Sequence, residues 1–269
     1  MPNARSLLVW VVAAVTFGFL LIESRSTLSE LRDPAVLTGY WLFGIMVFLV
    51  LFNLRKKLSM IPLGDASTWL LMHVVGGLLA VAIYWMHTQS VWPNGTYERV
   101  LAGLFYLTSL SGIAGYMLQR IYPPKLTQTG VEVIYERIPA YVAEIRQQAE
   151  GVVLKCTDET RLDTLGQHYL DTMAWFFGRP RFGFSHCFGS QRSSQWIRLQ
   201  DANVRRYLNE EERSFLDKLT ELAIQKNGVD IHHALQGVMK RWLLIHVPLS
   251  VGLITLAIWH LMVVNAYAL

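Results

Sequence analysis

Two stretches decide how this chain is read: HVVGGLLAVAIYWMH at residues 73–87 and HVPLSVGLITLAIWH at residues 246–260. Each is almost wholly apolar between a histidine at either end, and in each the histidines stand fourteen residues apart. On an α-helix fourteen residues rotate through about 1400°, within about 40° of whole turns, and rise about 21 Å. Each helix therefore carries two imidazoles on one face, one near each end of a segment that spans most of the roughly 30 Å hydrocarbon layer of a bilayer.

Working outward, the rest of the sequence places both stretches in a membrane. Of 269 residues, 52% are hydrophobic and 16% charged, against about a quarter charged in soluble domains. Apolar blocks of bilayer length run over residues 7–22, 38–54, 68–87, 100–119 and 242–267. The first lacks a small-residue cleavage site and is retained as a helix. The basic balance, a pI near 9.1, reflects lysines and arginines flanking these blocks rather than a nucleic-acid surface. The clusters Arg55-Lys56-Lys57, Arg120 with Lys125, and Lys240-Arg241 fall on one side of a five-span chain. The loop 88–98 between the third and fourth spans has no basic residue. The positive-inside rule then gives a multi-pass protein of the cell's inner (plasma) membrane, N-terminus cytoplasmic and C-terminus outside. The expected fold class is an all-α membrane protein with five transmembrane helices forming a haem-binding bundle. Spans one to four occupy residues 1–121, a soluble cytoplasmic insert occupies 122–240, and the fifth span occupies 241–269.

On that topology the third and fifth spans run in the same direction, so His73 lies level with His246 and His87 with His260. Two imidazoles facing each other at one depth bind an iron from both sides, and haem iron is commonly held so. The four histidines are thus the expected ligands of two haem b groups, paired His73/His246 and His87/His260. Gly76 and Gly77, about one turn after His73, let a flat macrocycle approach the backbone. Gly252 lies between the histidines of the fifth span, and Pro248 is tolerated in a buried helix. Arg55, Lys240 and Arg241 stand at the depth of the inner propionates. No Cys-x-x-Cys-His motif for covalent haem occurs.

The paired helices resemble those of cytochrome b in quinol-oxidising bc complexes. They equally resemble the haem core of ferric reductases and NADPH oxidases, whose pairs also lie on a third and a fifth helix. The likeness covers the two helices and their topology, about a fifth of the chain. The segment from Asp230 through Trp242 and His246-Val247-Pro248-Leu249 to His260 also looks like the last span of bacterial di-haem b proteins that accompany multihaem c cytochromes or iron–sulfur proteins. That resemblance implies axial roles for the four histidines and an electron-transfer subunit of a larger membrane oxidoreductase. Its partners would be a quinone, a periplasmic cytochrome or iron–sulfur protein outside, and a cytoplasmic carrier or dehydrogenase inside; nucleic acid is not expected. The chain departs from those families in lacking a Pro-Glu-Trp-Tyr motif, in carrying no flavin or nicotinamide motif after the last span, and in its insert. Two alternatives stay open: a quinol or metal reductase with its own membrane site, and a metal or haem transporter or delivery protein.

The insert reads as mainly helical or α+β. The sequence predicts an amphipathic helix over residues 131–150 interrupted near Pro139, a short strand at Val152-Val153-Leu154, and a helix over 161–177. Residues 179–198 read as loop. Asn209 with three following glutamates predicts a capped helix to Lys226, closed by Asn227-Gly228. Asp230 caps the next helix, which leads into the last span. His186 and Cys187, with Cys156 and His168, are a weak candidate metal set because adjacent ligands are poor zinc spacing; a packed loop is the plainer reading. Arg179, Arg181, Arg192, Arg198, Arg205, Arg206 and Arg213 suit docking of acidic carriers or anionic lipid. His232-His233 read as a surface pair.

Overall fold

The structure is a computed structural model that describes residues 4–31, 33–57 and 65–267, with the side chains of 53–57 excepted. The side chains of Arg55, Lys56 and Lys57 therefore lie outside the described residues. The helices, in order, are α1 (Ala4–Ser29), α2 (Ala35–Lys57), α3 (Ala66–Thr88), α4 (Thr96–Thr127), α5 (Ile138–Thr160), α6 (Thr164–His168), α7 (Ala174–Phe177), α8 (Gly183–Cys187), α9 (Arg192–Arg205) and α10 (Glu210–Tyr267). A π-turn, Tyr169–Met173, joins α6 to α7. Among the described residues there is no strand. Helices α1, α2, α3, α4 and α10 are each long and apolar enough to cross a membrane.

The chain divides into two compact units. One comprises the residues up to Met117 together with those from Trp242, and the other runs from Leu118 to Arg241. In the first unit α3 packs on α1 and α2. Its core joins Leu20 of α1, Leu42 and Met46 of α2, Ala80 and Ile83 of α3, Ala102 and Phe105 of α4, and Leu253 and Ala257 of α10. Large apolar side chains on the outer faces, such as Leu8, Ile22, Leu110 and Leu244, stay exposed. Such an outside is what a bilayer requires of helices that satisfy their backbone groups internally.

The second unit has its own core. Ile138, Val142, Ile145, Ala149, Val153 and Cys156 form the buried stripe of α5 against Leu216, Leu219 and Ala223 of α10 and Leu165, Met173 and Phe176 from the intervening turns. Here the structure corrects several expectations. Pro139 does not interrupt a helix; it occupies the first turn of α5, where its missing N–H costs nothing. Val152-Val153-Leu154 is not a strand but part of α5, because Val153 continues the helical spacing of Ala149 and Cys156. Residues 179–198 are not all loop: Ser193, Ile197 and Val204 are the buried stripe of α9, a periodicity hidden by Gly, Ser and Arg content. The α+β alternative falls with the strand.

Asn209 caps α10 as read from sequence. Its carboxamide Oδ1 accepts from the Glu212 N–H at 2.8 Å, while the Glu212 carboxylate accepts from the Asn209 N–H at 3.1 Å, a reciprocal capping box. Asn227-Gly228, however, does not end the helix, which continues unbroken to Tyr267. The Asn227 side chain accepts from the Ser193 hydroxyl, and a Cβ on Gly228 would stand 3.0 Å from Val131 Cγ2. The pair serves close packing rather than termination.

Candidate functional site

Helices α3 and α10 bring the four membrane histidines together as two pairs. The His73 and His246 rings have centroids 6.4 Å apart with planes at 75°. The His87 and His260 rings are 6.3 Å apart at 86°. No hydrogen bond joins the rings of either pair among the described residues. Between the two tiers lie the buried Ala80, Ile83, Leu253 and Ala257, which exclude water from the middle of the bundle.

Each tier has its own support. His87 Nδ1 lies 2.9 Å from the Ala35 carbonyl oxygen. A carbonyl only accepts, so Nδ1 carries the proton and Nε2 keeps its lone pair. The Thr38 hydroxyl, fully buried, lies 3.4 Å from the same nitrogen. His246 Nδ1 is 2.6 Å from the Ser111 hydroxyl. Trp242 stacks on the His246 ring at 5.3 Å and donates its indole N–H to the Ser111 carbonyl at 2.7 Å. Tyr97 stacks on His260 at 6.1 Å and donates to the Leu256 carbonyl at 2.6 Å. His73 is braced by Phe52, 4.9 Å away between centroids. Its Nδ1 is buried without a partner of hydrogen-bond geometry, the Leu49 carbonyl being a looser neighbour.

Gly76 and Gly77 have different surroundings. A Cβ on Gly76 would meet Leu49 at 3.0 Å, so Gly76 serves the packing of α3 on α2; Gly77 faces open space. The tight positions are elsewhere. A Cβ on Gly39 would lie 2.9 Å from His87 Cε1, and one on Gly115 would collide with the Trp242 ring. The sequence assigned no role to Gly39, Ser111, Tyr97 or Trp242. Only Ser111, a hydroxyl followed by Gly112 and Gly115 inside an apolar span, carries a readable signal.

Whether these residues fit a haem is a question of distance. A first-row metal bonds an imidazole nitrogen at about 2.0–2.1 Å and that nitrogen lies about 1.2 Å from its ring centre, so two imidazoles on opposite sides of one metal have centroids roughly 6.4 Å apart. Both pairs match. Among the described residues no group of three or more His, Cys, Asp or Glu is placed to hold a metal ion. Each pair would offer two imidazoles to one iron, the other ligands coming from a macrocycle. The residues therefore fit bis-histidine haem.

In the insert, His186, Cys187, Cys156 and His168 form no such group either. Cys156 lies in the α5 core, and burial pushes its thiol pKa up. His186 is buried, and desolvation together with the nearby Lys226 ammonium pushes it down to about 4. Lys226 and Asp230 form a fully buried pair at 2.6 Å. Lys226 also donates to the Arg179 carbonyl, and Asp230 accepts from the Arg181 N–H, so the pair pins the 179–181 segment to α10. Burial outweighs their attraction: the Asp230 carboxyl is pushed up to about 6 and the Lys226 ammonium down. The arginines are partly engaged within the insert. Arg205 pairs with Asp201 and Asp217, Arg213 pairs with Glu210, and Arg181 lies over the Trp175 ring. His232 is not a surface residue; Thr129 and Gln236 satisfy both its nitrogens. No family model, curated protein or solved structure matches this chain.

Proposed function

We propose that this chain is a di-haem b-type membrane cytochrome, a subunit that carries electrons across the bilayer within a larger redox complex. The observation that carries this reading is the pair of imidazole–imidazole separations, 6.4 and 6.3 Å, the spacing of two ligands sharing one metal. His73 and His246 would hold the group on the cytoplasmic side, and His87 and His260 the outer one, with the N-terminus and insert cytoplasmic by the positive-inside argument. Haem iron supplies a one-electron couple when bound. The chain's own residues supply the rest. The Ala35 carbonyl holds Nδ1 of His87 and so fixes its tautomer, and the Ser111 hydroxyl lies within hydrogen-bond distance of His246 Nδ1. Trp242 and Tyr97 fix ring rotation by stacking, and the apolar layer between the tiers keeps water out.

A second reading, a quinol reductase with its own membrane site, draws on a cavity of about 570 Å³ lined by Leu28, Asp33, Pro34, His87, Thr88 and Gln89. It is an open surface depression beside the outer histidine. Rapid haem reduction by a soluble quinol analogue, abolished by filling this cavity, would favour it.

The deciding experiment is a visible spectrum of the detergent-purified protein, oxidised and dithionite-reduced, with pyridine haemochrome quantitation. Sharp low-spin b-type bands at two haems per chain, falling to one in His73→Ala or His87→Ala, are expected. Folded protein without haem, made in haem-replete cells, would overturn the proposal.

A further inference from the structure

Helix α8 has two dissimilar faces. On its inner side His186 is buried, and Phe182, which precedes the helix, packs against Phe176 and Trp196. On the opposite side Phe184 and Phe188 are 81% and 73% exposed. They stand four residues apart, on one face, with ring centroids 4.8 Å from each other. Two phenylalanine rings in contact and facing water form an exposed apolar pair, whereas Tyr169, Phe176, Phe177 and Phe215 of the insert are buried and Tyr207 and Trp175 are exposed singly.

Their neighbours say what covers them. Immediately after Phe188, Gly189 has φ +70°, and a Cβ there would stand 3.2 Å from Lys125 Nζ. The Cys187 side chain lies near Tyr122. Lys125 and Tyr122 belong to the last turns of α4, the same helix that is long and apolar enough to cross a membrane. Ile121, one residue before Tyr122, is 48% exposed. Thus α8 lies against the last turns of a helix that is long and apolar enough to cross a membrane. The charge agrees. Residues 172–200 contain four arginines and no Asp or Glu, and residues 120–131 contain Arg120 and Lys125 with no acid. Exposed aromatics beside basic residues at the end of a spanning helix are the chemistry of a bilayer interface, where rings enter the headgroup–acyl boundary and cations meet lipid phosphates.

We infer that Phe184 and Phe188 anchor the insert in the adjacent leaflet, with Lys125 and Arg192 facing acidic phospholipid headgroups. The inference rests on the membrane reading of α4 alone and is independent of haem.

The test uses the full chain in bilayer nanodiscs containing phosphatidylglycerol. In a Cys187→Ser background, where buried Cys156 is the remaining thiol, a nitroxide is placed at Phe184→Cys or Phe188→Cys. Its accessibility to oxygen is compared with that to a water-soluble nickel complex. A label at Leu110→Cys, exposed in the middle of α4, sets the lipid value, and free nitroxide in buffer sets the water value. The expected oxygen-to-nickel ratio at both sites is several-fold above the water value and close to that at Leu110. In the unmodified chain, a photoactivatable lipid probe should tag the peptide carrying Phe184 and Phe188. A water-like ratio with no tagging would overturn the inference and leave the face to a soluble protein partner.

Discussion

Gly39→Ala is the most economical probe of the outer histidine pair. The added methyl would stand 2.9 Å from His87 Cε1 and 3.2 Å from Nδ1, so the ring must move by about half an ångström to reach ordinary contact. It is not free to do so, because the Ala35 carbonyl, one turn earlier on α2, holds Nδ1 at 2.9 Å, and His260 faces the ring from the other side. Overpacking of this kind costs about 1–3 kcal/mol. At about 1.36 kcal/mol per tenfold, that weakens occupancy of this tier roughly 5- to 150-fold. Gly77→Ala, on a helix position open to space, is the control. The assay is haem per chain by pyridine haemochrome with the reduced-minus-oxidised spectrum. Gly39→Ala should fall from two haems towards one while Gly77→Ala stays at two, with both variants monodisperse in detergent. A Gly39→Ala protein with two haems and an unchanged spectrum would refute the placement of His87 against α2.

Other outcomes follow from particular contacts. Ser111→Ala removes the 2.6 Å partner of His246 Nδ1, a hydrogen bond worth about 0.5–1.5 kcal/mol. Because proton donation from Nδ1 makes the ring a stronger ligand for oxidised iron, one of two potentials in a redox titration should rise, by about 20–65 mV for a one-electron couple; two unmoved potentials would contradict the contact. Asp230→Ala leaves Lys226 buried without its carboxylate and should destabilise the insert by about 3–5 kcal/mol. Exposure of the buried Cys156 to a thiol reagent, in Cys187→Ser protein, reads this opening; a labelling rate like that of the parent would count against it. The same readout with a dipyridyl disulfide tests pH. His186 is held down to about 4, so the unfolded chain takes up a proton below about 6.5 that the folded insert refuses, and stability falls as pH drops through that window. Asp230, pushed up to about 6, acts in the opposite sense over an overlapping range: its contribution is present at low pH and is lost as pH rises towards 6. In His186→Leu the insert should therefore open less at pH 4.5, relative to pH 7, than the parent does; an unchanged ratio would show that His186 does not titrate with folding.

The histidines were legible in the sequence because their relation is local. Rotation and rise along a helix are fixed by backbone geometry, so fourteen residues place His73 and His87 on one face whatever surrounds them. The five apolar spans are legible for a similar reason: length and composition answer to bilayer thickness alone. The cap at Asn209 is also local, made between a side chain and a backbone three residues apart. The errors came where one residue type serves two ends. Asn227-Gly228 looks like a helix stop, yet in α10 the glycine admits Val131 and the asparagine bonds Ser193, contacts made by segments distant in sequence. Val152-Val153-Leu154 has strand composition, but burial of Val153 with Ala149 and Cys156 decided for helix.

The sequence by itself thus determined the spans and the spacing of the four imidazoles, since both depend on the chain's own helical repeat. Only the tertiary structure decided which imidazoles face each other, at what separation, and what holds them. Those supports are a backbone carbonyl at Ala35, a hydroxyl at Ser111, a glycine at Gly39 and the rings of Trp242 and Tyr97. All but Trp242, which precedes His246 by one turn on α10, come from other helices, and the packing of helices against one another selects among them.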